Sequence, residues 1–135
     1  MNTHIAYDIG AKEVAIHLSR ILNCPLVMSD FSRLLIDPNR GVDDPTLVMK
    51  ISDDKIIEGN KNIHNFNESV EKNKRIENYY NSYHDKVSKL VKQKINNEQF
   101  PAIISIHSFT PFWKNIKRNI DIGILWDNDE RLPNI

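Results

Sequence analysis

The chain has 135 residues, 40% of them apolar and 27% charged, with a mean hydropathy of −0.48, a composition that suits a single folded domain and not a disordered tail. Its 18 lysines and arginines are balanced by 18 aspartates and glutamates, so no net field gathers nucleic acid or an anionic membrane surface. The one cysteine, Cys24, cannot form an internal disulfide, and no apolar run approaches the roughly 20 residues needed to span a bilayer. The opening residues carry neither the basic nor the apolar region of a signal peptide, so a cytoplasmic location is expected.

In chain order, Ile9, Val14, Ala15, Leu18, Ile21 and Leu22 recur at helical spacing and predict an amphipathic helix over residues 8–23. Asp8 is its expected N-cap, and Asn23 followed by Pro25 its expected stop. His17 falls on the flank of this helix and His4 in the loop before it, and both read as solvated. Cys24 reads as a small buried hydrophobe. Residues 25–28 (PLVM) form a short apolar run expected to be a buried strand.

Residues 34–36 are a second such run, after which Asp37-Pro38-Asn39 breaks the chain and presents Arg40 before Gly41. An amide beside a guanidinium suits a carboxylate ligand, because the planar fork of arginine binds one bidentately and asparagine adds a donor. The competing reading is a turn whose arginine pairs with Asp37, Asp43 or Asp44. Residues 46–51 and 55–57 read as two extended pieces around a turn, and 58–67 as a surface loop with a solvated His64.

The longest helical pattern covers residues 68–97, with lysine and glutamate on its wet face. His84 interrupts it and points either into a site or to a hydrogen-bonding tyrosine or aspartate. Next, residues 102–106 are apolar and β-branched and deliver His107 into a Ser/Thr/Pro loop. Ligands of open α/β sheets bind beyond the carboxyl ends of strands, so His107 marks a site edge. Ser105 and Ser108 bracket it, but adjacency in sequence is not a catalytic triad. Residues 120–126 alternate well enough for a last strand, and the acidic cluster Asp127, Asp129 and Glu130 is a turn, since a calcium loop needs a glycine and a distal glutamate absent here. Repeats, phosphate-binding glycine loops and His-Glu-x-x-His helices are missing.

Three pieces together, HIAYDIGAKEVAIHLS at 4–19, SRLLIDPNR at 32–40 and SIHSFTP at 105–111, resemble the N-formylglutamate amidohydrolase family, with weaker agreement at YYNSYH (79–84) and DIGILWDNDERL (121–132). The resemblance implies an α/β fold, a three-layer mixed sheet flanked by helices as in zinc carboxypeptidase-like hydrolases, and residues 1–135 as one domain of that kind. It also implies zinc-dependent hydrolysis of an N-formyl (N-acyl) amino acid such as N-formylglutamate, giving formate and the amino acid, in histidine and amino-acid catabolism. In that reading His107 is a zinc ligand, Asn39 and Arg40 hold the substrate carboxylate, and Arg33 is a second cationic candidate. The remaining ligands, on a Cys-Glu-His-like segment of the first strand, and a water-assisting glutamate are expected outside this sequence, which then reads as an internal fragment lacking the first strand and the C-terminal part. The expected partners are a small N-acyl amino acid, no nucleic acid and no membrane, with a complementing chain or self-association covering the open sheet edge. The rival readings are a non-catalytic, carboxylate-binding remnant of such an enzyme and a helical interaction module built on 68–97.

Overall fold

The computed structural model describes residues 6–52, 54–63, 69–113 and 116–128. The readings of His4, His64, Asp129 and Glu130 lie outside the described residues. Helix α1 (Ala11–Ile21) starts later than its apolar spacing predicts. Its N-cap is Gly10, at φ 79, a left-handed conformation in which a residue without Cβ avoids the steric penalty. Asp8 does not cap it with its side chain; the Asp8 carbonyl accepts from the Ala11 amide at 3.2 Å, which leaves the carboxylate for other partners.

At the other end Asn23 turns left-handed (φ 47), with Cys24 N–H donating to Ser19 O at 3.1 Å and Asn23 N–H to Arg20 O at 3.4 Å. This is the Schellman pair of bonds, and it stops the helix where Asn23 and Pro25 predict. Cys24 is exposed rather than buried, because the reversal engages its backbone and leaves its side chain outside.

The long helical pattern is helical over residues 69–96 but not uniform. α2 (Ser69–Arg75) passes through a π-helical turn (Ile76–Asn81) into α3 (Ser82–Asn96). Such a turn inserts an extra residue and shifts the face that the helix presents. Here it brings Ile76 and Tyr80 onto a core of Ile36, Leu47, Val48 and Ile63, beside Phe31.

Two antiparallel hairpins are present among the described residues: β1 (Ile51–Ser52) with β2 (Lys55–Ile56), and β3 (Phe112–Trp113) with β4 (Ile116–Lys117). Ile51 faces Ile56 in the first, and Phe112 faces Lys117 in the second. The architecture is therefore mixed helix and small sheet. The runs 25–28, 102–106 and 120–126, expected as strands, join no ladder among the described residues. A β-rich run becomes a strand only when a neighbour accepts its hydrogen bonds, and among the described residues none is set beside these. Ile103 and Ile104 are accordingly exposed, not buried.

The core instead gathers around residues 34–48. Leu34, Ile36, Leu47 and Val48 are buried, and the Asp37 amide donates to Leu47 O at 2.8 Å. A buried polar clamp closes it. Asn60 donates its amide to Leu34 O (2.6 Å) and Met49 O (2.8 Å), and accepts from Arg75 Nη1 at 2.7 Å. Every buried side-chain nitrogen and oxygen among the described residues has a partner. No described helix is long and apolar enough to cross a membrane.

Candidate functional site

Residues from three separate parts of the chain meet in one hydrogen-bonded network. The first is the segment before α1, pinned where Ala6 O accepts both the Arg33 amide and the Ser32 hydroxyl, each at 3.1 Å. That places Asp8 against Arg33, whose Nη1 donates to Asp8 Oδ1 at 3.3 Å. The other oxygen of Asp8, Oδ2, lies 2.8 Å from Nδ1 of His107, 99 residues further along the chain.

Arg33 then reaches the second part. Its Nη2 donates to Asp37 Oδ2 at 2.8 Å, and Asp37, with a side chain only 3% exposed, is the buried hub of the 37–40 turn. Asp37 Oδ1 accepts from the Asn39 amide at 3.0 Å, so an Asx turn sets the path of the loop. Arg40 approaches Asp37 only through Nε, at 3.9 Å, and its side chain is 43% exposed. The turn reading of this loop is thus partly met, by a long contact to Asp37 and by attraction between Arg40 and Asp44.

Helical residues brace the same loop from behind. Tyr80, in the π-helical turn, donates its hydroxyl to Arg40 O at 2.8 Å, and His84 Nε2 lies 3.0 Å from Pro38 O. Since a carbonyl only accepts, His84 is the donor there. Its ring also lies 4.3 Å from that of Tyr80 and 5.3 Å from that of Tyr83. His84 therefore has a structural partner, though it is a backbone carbonyl and not the tyrosine hydroxyl or aspartate of the sequence reading.

The electrostatics follow from this packing. Burial works against the charge of Arg33, but the hydrogen bond and attraction of Asp37, followed by those of Asp8, outweigh it and hold the guanidinium above its ordinary pKa. On the imidazole, a carboxylate accepts only, so in neutral His107 the proton sits on Nδ1 and Nε2 carries the lone pair. The Ser105 hydroxyl, 3.0 Å from Nε2, donates into that lone pair. Ser105 and His107 are two residues apart in an apolar run, the spacing that puts extended side chains on one face. The side chain of His107 is 47% exposed, so Nε2 is within reach of a ligand.

The sequence model of the N-formylglutamate amidohydrolase family matches residues 1–135, the whole chain. The chain belongs to the N-formylglutamate amidohydrolase family. It is also similar to the gene product Atu2144 from Agrobacterium tumefaciens, whose crystal structure superposes with a TM-score of 0.91 at 34% identity over 98% of this chain and 51% of that one. The chain thus spans about half the length of that protein. No curated protein matches it.

Of the candidate residues in this chain, Arg33 and His107 meet through Asp8, and Arg33, Asn39 and Arg40 meet through Asp37. Sequence reasoning offered Asp37 as a turn former and a partner of Arg40 but missed its bond to Arg33, and it assigned Asp8 to helix capping and missed its bonds to Arg33 and His107. The described residues hold no group of three histidine, cysteine, aspartate or glutamate side chains able to enclose a metal. What they do hold is an imidazole whose Nδ1 is anchored on a carboxylate, as metal-bound histidines are, with Nε2 against the Ser105 hydroxyl. This fits one ligand of a metal centre and falls short of the centre itself.

Proposed function

We propose that this chain contributes to an enzyme that hydrolyses the amide of an N-formyl (N-acyl) amino acid such as N-formylglutamate, releasing formate and the amino acid. The observation that carries the reading is the continuous network from His107 through Asp8, Arg33 and Asp37 to the Asn39–Arg40 turn, in a chain matched end to end by the N-formylglutamate amidohydrolase family. Its two ends have different chemistry. Exposed Arg40 offers a fork for the substrate carboxylate, with the Asn39 side chain beside it as a further donor. His107 offers a lone pair at the place where the amide is attacked.

In the reaction, water adds to the formyl carbon, the carbon–nitrogen bond breaks and a proton passes to the departing nitrogen. Zinc fits this scheme with Nε2 of His107 as one ligand and the others outside the described residues; when bound, the metal supplies a water of lowered pKa. Asp8 keeps the proton on Nδ1 and so keeps Nε2 available, while Ser105 caps that lone pair until a ligand displaces its hydroxyl. The Asp37 hub fixes the turn that presents Asn39 and Arg40, and Tyr80 and His84 hold that turn against the helix. A three-layer mixed sheet, of which this chain would form part, goes with the same reading.

The test is formate release from N-formylglutamate in the presence of zinc by the complete enzyme to which this chain contributes, with His107→Ala and Arg40→Ala variants. His107→Ala should abolish turnover, whereas Arg40→Ala should raise KM by about 10-fold or more, the loss of a charge-assisted bidentate contact of about 1.5–3 kcal/mol. Full activity in His107→Ala overturns the assignment. Binding of N-formylglutamate without formate release would favour the carboxylate-binding remnant.

A further inference from the structure

We propose that Arg33 is a positioning residue that locks the two ends of the site into one register, holding His107 through Asp8 and the Asn39–Arg40 turn through Asp37. The names given to the two ends rest on the function proposed above; the coupling itself rests on geometry. Arg33 spends its two terminal nitrogens on two different carboxylates, Nη1 on Asp8 Oδ1 at 3.3 Å and Nη2 on Asp37 Oδ2 at 2.8 Å. Each carboxylate uses its other oxygen for a site element: Asp8 Oδ2 faces His107 Nδ1 at 2.8 Å, and Asp37 Oδ1 accepts from the Asn39 amide at 3.0 Å. One planar group therefore fixes the orientation of both carboxylates, and each carboxylate fixes one functional group.

Several features make this a brace and not a substrate contact. The Arg33 backbone is itself tied down, its amide donating to Ala6 O at 3.1 Å next to the Ser32 hydroxyl bond to the same carbonyl. A substrate carboxylate that took over the Nη2 bond would displace Asp37, a buried group whose other recorded cationic contact is Arg40 at 3.9 Å. Stripping a buried carboxylate of its main partner is more costly than any gain from a solvated ligand. Arg40, the more exposed and less engaged of the two guanidiniums, is the one positioned to meet substrate. Lysine could not replace Arg33, because a single ammonium is a point charge and cannot hold two carboxylates at fixed relative angles as a rigid fork does.

The experiment is nitrogen-15 and proton NMR of the chain without substrate or metal, comparing wild type with Arg33→Gln, Arg33→Lys and Asp8→Asn. In the wild type, His107 should show one dominant tautomer with the proton on Nδ1. Arg33→Gln should bring the two His107 ring-nitrogen shifts toward each other, as the tautomers mix, and should also move the Asn39 amide resonance. Arg33→Lys should restore at most one of these two signatures. A His107 tautomer unchanged in Arg33→Gln, or both signatures restored by lysine, overturns the proposal. Should Arg33→Gln fail to fold, Asp8→Asn decides, since it keeps the Arg33–Asp37 pair; movement of the Asn39 and Arg40 amides supports coupling, and unmoved amides overturn it. Because neither metal nor substrate enters the measurement, its failure stays distinct from failure of the amidohydrolase reading.

Discussion

At the scale of single residues, the aliphatic core is tied together by a polar group, Arg75. It is almost fully buried, with Nη1 donating to Leu35 O (2.9 Å) and Asn60 Oδ1 (2.7 Å), Nη2 to Gly59 O (3.2 Å) and Nε to Glu71 (3.1 Å). Removing the guanidinium strands Leu35 O and Asn60 Oδ1 away from water, so Arg75→Ala should cost about 3 kcal/mol, seen as a lower urea midpoint at unchanged slope. Asp44 gives a pH-dependent counterpart. The Thr46 hydroxyl at 2.6 Å, followed by the Thr46 amide at 2.7 Å, holds its carboxyl below the ordinary range. A depressed folded value means that the turn's stabilisation is complete above the usual carboxylate pKa and is lost as pH falls through the lowered one. Thr46→Val removes the hydroxyl bond alone, so a carbon-13 titration should find the Asp44 midpoint shifted part of the way back up. At this scale the sequence displayed residue types well and partnerships poorly. His107, Asn39 and Arg40 stood out by their chemistry, whereas Arg75 was hidden among the lysines and glutamates of a face read as wet, and the Asp8–His107 bond spans 99 residues that no local pattern connects.

At the scale of elements, the helices were legible because their signal is local and their bonds are internal. Periodicity placed α1 and the α2–α3 helix, and the stop at Asn23 followed from turn chemistry. The π-helical turn was not legible, since one inserted residue hardly disturbs a pattern of steps of three and four. The end of α3 repeats the logic of α1 with a poorer residue. Gln99 N–H donates to Lys94 O at 3.0 Å and Glu98 N–H to Ile95 O at 2.9 Å, which puts Glu98 at φ 58. A side chain bearing Cβ pays about 1 kcal/mol in that conformation, so Glu98→Gly should stabilise the chain by about that amount and raise Tm by about 4 °C. Strands gave the opposite result, because a strand is defined by a neighbour. Residues 25–28, 102–106 and 120–126 have the composition of strands, and the partners that would make them so are not among the described residues.

At the scale of the whole molecule, the runs that join no ladder among the described residues carry several of its most exposed apolar side chains. Leu125 is 97% exposed, Ile122 84% and Ile124 73%, with Trp126, Ile103 and Ile104 more than half exposed as well. Successive residues in an extended run face opposite ways, so exposure at 124 and 125 together means that both faces of the run are uncovered. Covering a side chain of this size is worth about 1.5–3 kcal/mol, and several in one run exceed the entropy lost when two chains meet. Unpaired amides and carbonyls along the same backbone favour pairing in strand fashion rather than loose clustering. The chain on its own should therefore self-associate with rising concentration, with the apparent mass climbing in sedimentation measurements at micromolar levels. Replacing Ile122, Ile124 and Leu125 together by lysine should return it to a monomer while leaving the far-ultraviolet helical signal intact, because none of the three packs on the core of Ile36, Leu47, Val48 and Ile63. Association that survives the triple substitution would place the contact elsewhere, with the exposed apolar side chains of Val14 and Ile21 on α1 and of Ile9 just before it as the next surface to alter. A lost helical signal would instead mean that the 120–126 run packs on the helices in solution.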